Sequence, residues 1–209
     1  QDGLRETGTW CEKLTMWRRH LGLSDGRYVD IVEDYSASDT GAYAAKFLSD
    51  AVSSTADAER VADGAWILWS GSLVLARCVE FHAVATVTAM SAGRDVSAPF
   101  VTVELGAGSG LVSVVAGAGG LHAIATEQES GLPYLRANAA ANTGLFAQKQ
   151  PGSCTVQKMH WGTASDVAAV MATVARLTRA SGSTASECAP ALLLGSDLTY
   201  LPAVMEPLA

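Results

Sequence analysis

The stretch Val101-Thr-Val-Glu-Leu-Gly-Ala-Gly-Ser-Gly110 decides the fold. It runs a short apolar strand into a carboxylate, Glu104, and then into glycines at alternate positions, Gly106, Gly108 and Gly110. Glycine takes positive φ at little steric cost and lets backbone approach a ligand closely. A helix that starts after such a turn presents unpaired N–H groups. In open α/β sheets, ligands bind in the crevice beyond the carboxyl ends of the strands. A bare Gly-x-Gly is also an ordinary strand-to-helix turn, so its surroundings must separate the two cases.

Working outward toward the C-terminus, Leu121 to Thr126 forms a second apolar run suited to a strand. Pro133 fits the first turn of a helix running through Leu135 to Asn142. Thr155 to Met159 is a third strand, and Ser165 is placed to cap a helix with Val167, Val170, Met171, Val174 and Leu177 at helical spacing, ended by Gly182. Ala191 to Gly195 is a fourth strand. Starting with Phe100 to Glu104, the order is β-α-β-α-β-α-β, which predicts a parallel sheet with helices on both faces, an α/β fold. Toward the N-terminus, Pro99 ends a connector, and Ser72 can cap a helix whose inner face carries Leu75, Cys78, Val79 and His82. Before that the chain is more polar and less regular. Tyr43, Phe47 and Leu48 share a helical face, and Ser53 to Asp63 reads as a flexible connector. The expected division is a helical or irregular extension over 1–63 and a ligand-binding domain over 64–209.

Composition narrows the function. Of 209 residues, 49% are hydrophobic and 17% charged, which excludes a disordered chain, since that needs low hydrophobicity and high charge. Lys and Arg number 14 against 21 Asp and Glu, a net charge of −7. That balance argues against a nucleic-acid partner, whose phosphates are held by Lys and Arg. Two apolar stretches could be mistaken for membrane spans. Residues 73–90 carry Arg77, Glu80 and His82, and residues 100–126 contain six glycines, so neither suits a spanning helix. No membrane partner is expected. The four cysteines form no paired motif, which points to a reducing compartment and to no metal site; Cys78 and Cys154 read as small core residues.

A dinucleotide fingerprint would need glycine where Leu111 stands, and Glu104 would repel a pyrophosphate. The same carboxylate is harmless or helpful beside a cationic sulfonium nucleoside. Glu127, 23 positions after Glu104, ends the second strand and can accept hydrogen bonds from both ribose hydroxyls. These features favour S-adenosylmethionine over NAD.

Together, Glu104-Leu-Gly-Ala-Gly-Ser-Gly110, the Thr126-Glu127 strand end, Asn138 and Asn142, His160-Trp161-Gly162 and Gly195-Ser-Asp-Leu-Thr-Tyr200 resemble the seven-strand, class I methyltransferases, with their Rossmann-like sheet. With Ala65-Trp-Ile-Leu-Trp-Ser-Gly-Ser-Leu-Val-Leu-Ala76, they are most similar to methyltransferase family 16, the protein-lysine methyltransferases, over about residues 64–205. The resemblance implies S-adenosylmethionine as cofactor, with Trp69, Glu104, Gly106, Ala107, Gly108, Glu127, Trp161 and Ser196 at its site. Of these, Glu127 would hold the ribose and Trp161 would pack on the adenine. Asp197 and Tyr200 would be catalytic, as parts of an Asp-x-x-Tyr motif. Asn138 and Asn142, one helical turn apart, are expected to be structural.

The implied activity is methylation of a lysine presented by a protein substrate. The alternatives are an arginine, histidine or small-molecule methyltransferase, or an inactive methyltransferase-like scaffold, because fold does not set substrate. A monomer is favoured, in the cytoplasm or the nucleus. The family's sheet has seven strands and only four are legible, so the domain is expected to lack its last strands.

Overall fold

The computed structural model describes residues 6–11, 16–34, 67–83, 100–147, 151–179 and 191–198. The glycine-rich stretch lies at the centre of a parallel four-stranded sheet. Its strands are β4 (Val101–Glu104), β5 (His122–Glu127), β6 (Ser153–Lys158) and β7 (Ala191–Leu194), in the order β6-β5-β4-β7. The register pairs Glu104 with Ala125 and with Leu194, and Glu127 with Lys158, so the carboxyl ends of the strands share one edge. All four residues of β4 are buried, as a parallel strand covered on both faces requires.

Helices α1 (Ser70–Cys78), α2 (Leu111–Ala118), α3 (Leu132–Ala141) and α4 (Ala164–Arg179) flank this sheet. Leu111, Val112 and Val115 of α2 pack with Ala123 on one face, and Leu135 of α3 joins Ala125 there. Val170 and Val174 of α4 pack on Val101, Val103 and Ile124 from the opposite face. The expected α/β sheet with helices on both sides is therefore present.

Three details differ from the sequence reading. Helix α1 buries Ala76, and Val79 just after it is buried too, whereas Cys78 and His82 are exposed. The backbone widens into a π-helical turn over Val79–Ala83, which rotates the later positions away from a 3.6-residue face. Helix α4 begins at Ala164, before Ser165, and Val167 and Met171 point to solvent, so its inner stripe is Val170, Val174 and the half-buried Leu177. Cys154 does lie partly in the core, where burial pushes its thiol up to about 12.

The largest difference is N-terminal. In place of a helical or irregular extension, β1 (Glu6–Cys11), β2 (Met16–Gly22) and β3 (Tyr28–Asp34) form an antiparallel meander. Gly26, at φ 86°, makes the turn between β2 and β3, closed by a bond from the Leu23 N–H to the Arg27 carbonyl (2.7 Å). Val29 and Ile31 are fully buried and join the core cluster of α1 and α2. Two asparagines cover the free edge of β3. The Asn142 amide accepts from Asp30 N–H (2.8 Å) and donates to Asp30 C=O (2.6 Å); Asn138 does the same with Val32 (2.8 and 3.1 Å). Alternate strand residues stand about 6.7 Å apart and residues one helical turn apart rise about 6 Å, so the two amides match the ladder of the strand edge. Their structural role is as expected. The helical face of Tyr43, Phe47 and Leu48, the Ser53 to Asp63 connector, the boundary near residue 63 and Gly182 lie outside the described residues.

Candidate active site

The turn after β4 is held by side chains from β5 and α3. Gly106, Gly108 and Gly110 all have positive φ, at 58°, 53° and 85°. The Glu127 carboxylate at the end of β5 accepts the Gly108 N–H (2.9 Å) and the Gln128 N–H (2.8 Å). Asn138 donates to the Ser109 carbonyl (2.9 Å) from beneath. A Cβ on Gly110 would lie 2.4 Å from a Leu135 methyl, so this third glycine allows α2 to approach α3. Glu104 points away from the turn's open side. It is almost fully buried and accepts both the backbone N–H (2.9 Å) and the hydroxyl of Ser113, in the first turn of α2. A carboxylate there is favoured by the helix dipole. Burial nevertheless dominates and pushes the Glu104 carboxyl up to about 7, with the Glu127 charge adding to the rise and the Ser113 bonds opposing it. Burial also raises the Glu127 carboxyl, against its two backbone bonds.

Over this turn stand two side chains from the ends of β6 and β7. A Cβ on Gly106 would meet the Trp161 ring and a Leu198 methyl, each at 3.1 Å. Bare Cα at Gly106 is what lets indole and isobutyl group descend onto the backbone. Trp161 sits in a turn completed by Gly162 at φ 76°. Leu198 also folds back on Gly195, where a Cβ would be 2.4 Å from it.

The loop after β7 meets the start of α1. Asp197 has φ 56°, the one non-glycine residue with positive φ among the described residues. Its carboxylate lies over Gly71, where a Cβ would come within 2.2 Å of Oδ2. Beside it, the Ser72 and Ser196 hydroxyls are 3.1 Å apart. Trp69, the N-cap of α1, is partly exposed next to this contact.

A family model described as lysine methyltransferase, methyltransferase family 16, matches residues 50–209. The chain belongs to this family. Membership brings with it the class I fold and S-adenosylmethionine as methyl donor.

In this methyltransferase several of the expected residues lie near the carboxyl ends of the strands. Gly106, Ala107, Gly108, Glu127 and Trp161 surround the turn, and Ser196 and Asp197 face the α1 turn that follows Trp69. Ala107 is buried, its N–H given to the Thr126 carbonyl (2.8 Å). Glu104 is directed to Ser113 and supports α2. Tyr200 lies outside the described residues. Sequence reasoning passed over Gly71, Ser113 and Leu198. Glycine in a helix costs about 1 kcal/mol against alanine, so Gly71, two residues after the family's tryptophan, carried a signal that something approaches closely.

The site suits an adenine nucleoside. The half-buried indole of Trp161 lies over the bare Cα of Gly106, and an aromatic plane is a ready platform for stacking a base. Glu127 uses two of a carboxylate's roughly four acceptor positions on Gly108 and Gln128, leaving capacity for hydroxyls. Among the described residues no cluster of metal-ligating side chains occurs, and no helix is long and apolar enough to cross a membrane.

Proposed function

We propose that this methyltransferase transfers a methyl group from S-adenosylmethionine to the side-chain amine of a lysine on a protein substrate. The observation that carries this reading is the seating of Asp197 on the first turn of α1. It puts a carboxylate, at a strained backbone position, beside Trp69 and across from the glycine turn. Backbone strain held by its surroundings is a feature of functional sites.

Trp69, Gly106, Ala107, Gly108, Glu127, Trp161 and Ser196 hold the cofactor in this reading. S-adenosylmethionine, when bound, supplies an electrophilic methyl on a cationic sulfonium. The protein's own residues then do three things. Trp161 and Leu198 exclude water above Gly106 and orient the nucleoside. Glu127 accepts hydrogen bonds from ribose. Asp197 accepts a charge-assisted hydrogen bond from the lysine amine and aligns its lone pair, and Tyr200, of the same motif, helps to orient the amine. Lysine must arrive deprotonated, which an apolar wall favours by lowering the ammonium pKa. Glu104 acts at a distance, by fixing the start of α2. The reading places the protein as a monomer in the cytoplasm or nucleus, where its protein substrates would be.

Incubation with labelled S-adenosylmethionine and a cell extract, followed by mass spectrometry of labelled proteins, tests the substrate. Label on lysine is expected; label confined to arginine, histidine or small molecules overturns the lysine assignment. Asp197→Ala should lower transfer by about a hundredfold or more while cofactor affinity changes little. Full activity of that variant would remove Asp197 from the chemistry.

A further inference from the structure

Among the described residues, Glu33 is the most deeply buried carboxylate that the site described above does not use. It follows Val29 and Ile31 on the inward face of β3, and all three are fully buried. An ionised group at an apolar-face position is costly unless paired and hydrogen-bonded. Arg19, across the strand pair on β2, forms an ion pair with one of its oxygens. The other oxygen accepts the backbone N–H of Leu68 at 2.6 Å.

That second bond reaches outside the meander to the residue just before Trp69. Trp69 is the N-cap of α1 and supplies no side-chain cap to it. The first turn of α1 then carries Gly71 and Ser72, which meet Asp197 and Ser196. Leu68 itself is buried in the core, so its N–H has a defined place. The contact therefore runs from Glu33 to Leu68, through the start of α1, to the carboxylate assigned to the amine.

We infer that Glu33 is a positioning residue of the methyl-transfer site: it fixes where α1 begins, and so places Trp69 and the seat of Asp197. The inference rests on the cofactor-site reading above. It also makes the N-terminal meander, which lies before the residues matched by the family, a working part of the site.

Two conservative variants separate this role from simple stabilisation. Glu33→Gln keeps an acceptor for Leu68 but gives up the charge that pairs with Arg19. Glu33→Asp keeps the charge but draws the acceptor back by one methylene. Affinity for S-adenosylmethionine is read by calorimetry on the full chain, well below each variant's melting temperature. The expected result is near-native affinity for Glu33→Gln and a loss of about tenfold for Glu33→Asp, the scale of one buried donor left unpaired. Any other pattern, including equal affinities or the reverse order, overturns the inference. Wild type and Trp69→Ala run alongside. If wild type fails to bind, or Trp69→Ala binds equally well, the cofactor-site reading fails; if both behave as assigned and only the Glu33 pattern is wrong, the inference alone fails.

Discussion

Replacing Glu104 with Gln should flatten the pH dependence of folding stability between about pH 5 and pH 8. Glu104 is buried behind the glycine turn, and its carboxyl is pushed from 4.5 up to about 7, chiefly by loss of water. Between those two values the folded protein keeps a proton that the unfolded chain releases. Stability therefore falls as pH rises through this window, because the folded state binds more protons than the unfolded one. The contribution is fully present below the unfolded value and gone above the folded one. A gap of 7 − 4.5 corresponds to about 3–4 kcal/mol, at roughly 1.4 kcal/mol per pH unit. Of this, about 2–3 kcal/mol is lost between pH 5 and pH 8. Gln accepts from Ser113 without titrating, so whatever its packing costs is constant with pH. Burial raises Glu127 in the same direction, but that residue is present in both proteins and largely cancels in their difference. Urea unfolding followed by tryptophan fluorescence at several pH values gives the two stability curves. The gap between variant and wild type should move in favour of Gln by about 2–3 kcal/mol across the window. Parallel curves would refute a Glu104 carboxyl that burial raises to about 7 in the folded protein.

Other expectations follow from the contacts around the turn. Asn138→Ala removes the bridge between β3 and the Ser109 carbonyl, and should cost about 2–4 kcal/mol in urea unfolding because it leaves buried backbone groups unpaired. Gly71→Ala should leave the melting temperature level or raise it through helix propensity, yet lower kcat by about tenfold or more because the new methyl displaces the Asp197 carboxylate. Steady-state kinetics of the variant checks this, and unchanged turnover would remove the seat from the mechanism. Trp161→Ala should weaken S-adenosylmethionine binding by about ten- to a hundredfold, the loss of one stacked base, as read by calorimetry.

Local pattern carried the sheet. Four short strand-like runs with glycine turns and helical stripes between them point to a parallel order, and the two central runs, Val101–Glu104 and His122–Glu127, are near-continuously buried as strands covered on both faces must be. The spacing of Glu104, the glycines and Glu127 likewise pointed to S-adenosylmethionine, the family's methyl donor. The meander was harder to see. Its strands β1 and β2 are polar, but the Ser24-Asp-Gly26 turn beside the alternation of Val29 and Ile31 was a hairpin signal available in the sequence. The spacing of Cys78 and His82 suggested burial; the π turn at Val79–Ala83 moves His82 off the inner face, since a wider turn changes the angle of every later side chain, while Cys78, the last residue of α1, lies exposed before it.

What the sequence by itself determined is the family, the α/β sheet and the methyl donor. Each of these depends on contacts between near neighbours in the chain or on motifs of fixed spacing. Only the tertiary structure decided what each carboxylate does. Glu104 turns inward to Ser113, Glu127 ties down Gly108, Glu33 reaches across 35 positions to Leu68, and Asp197 sits on Gly71. A carboxylate's role depends on which donors reach it and how much water remains, and the partners that settle this for Glu33 and Asp197 come from distant elements whose approach no local pattern encodes.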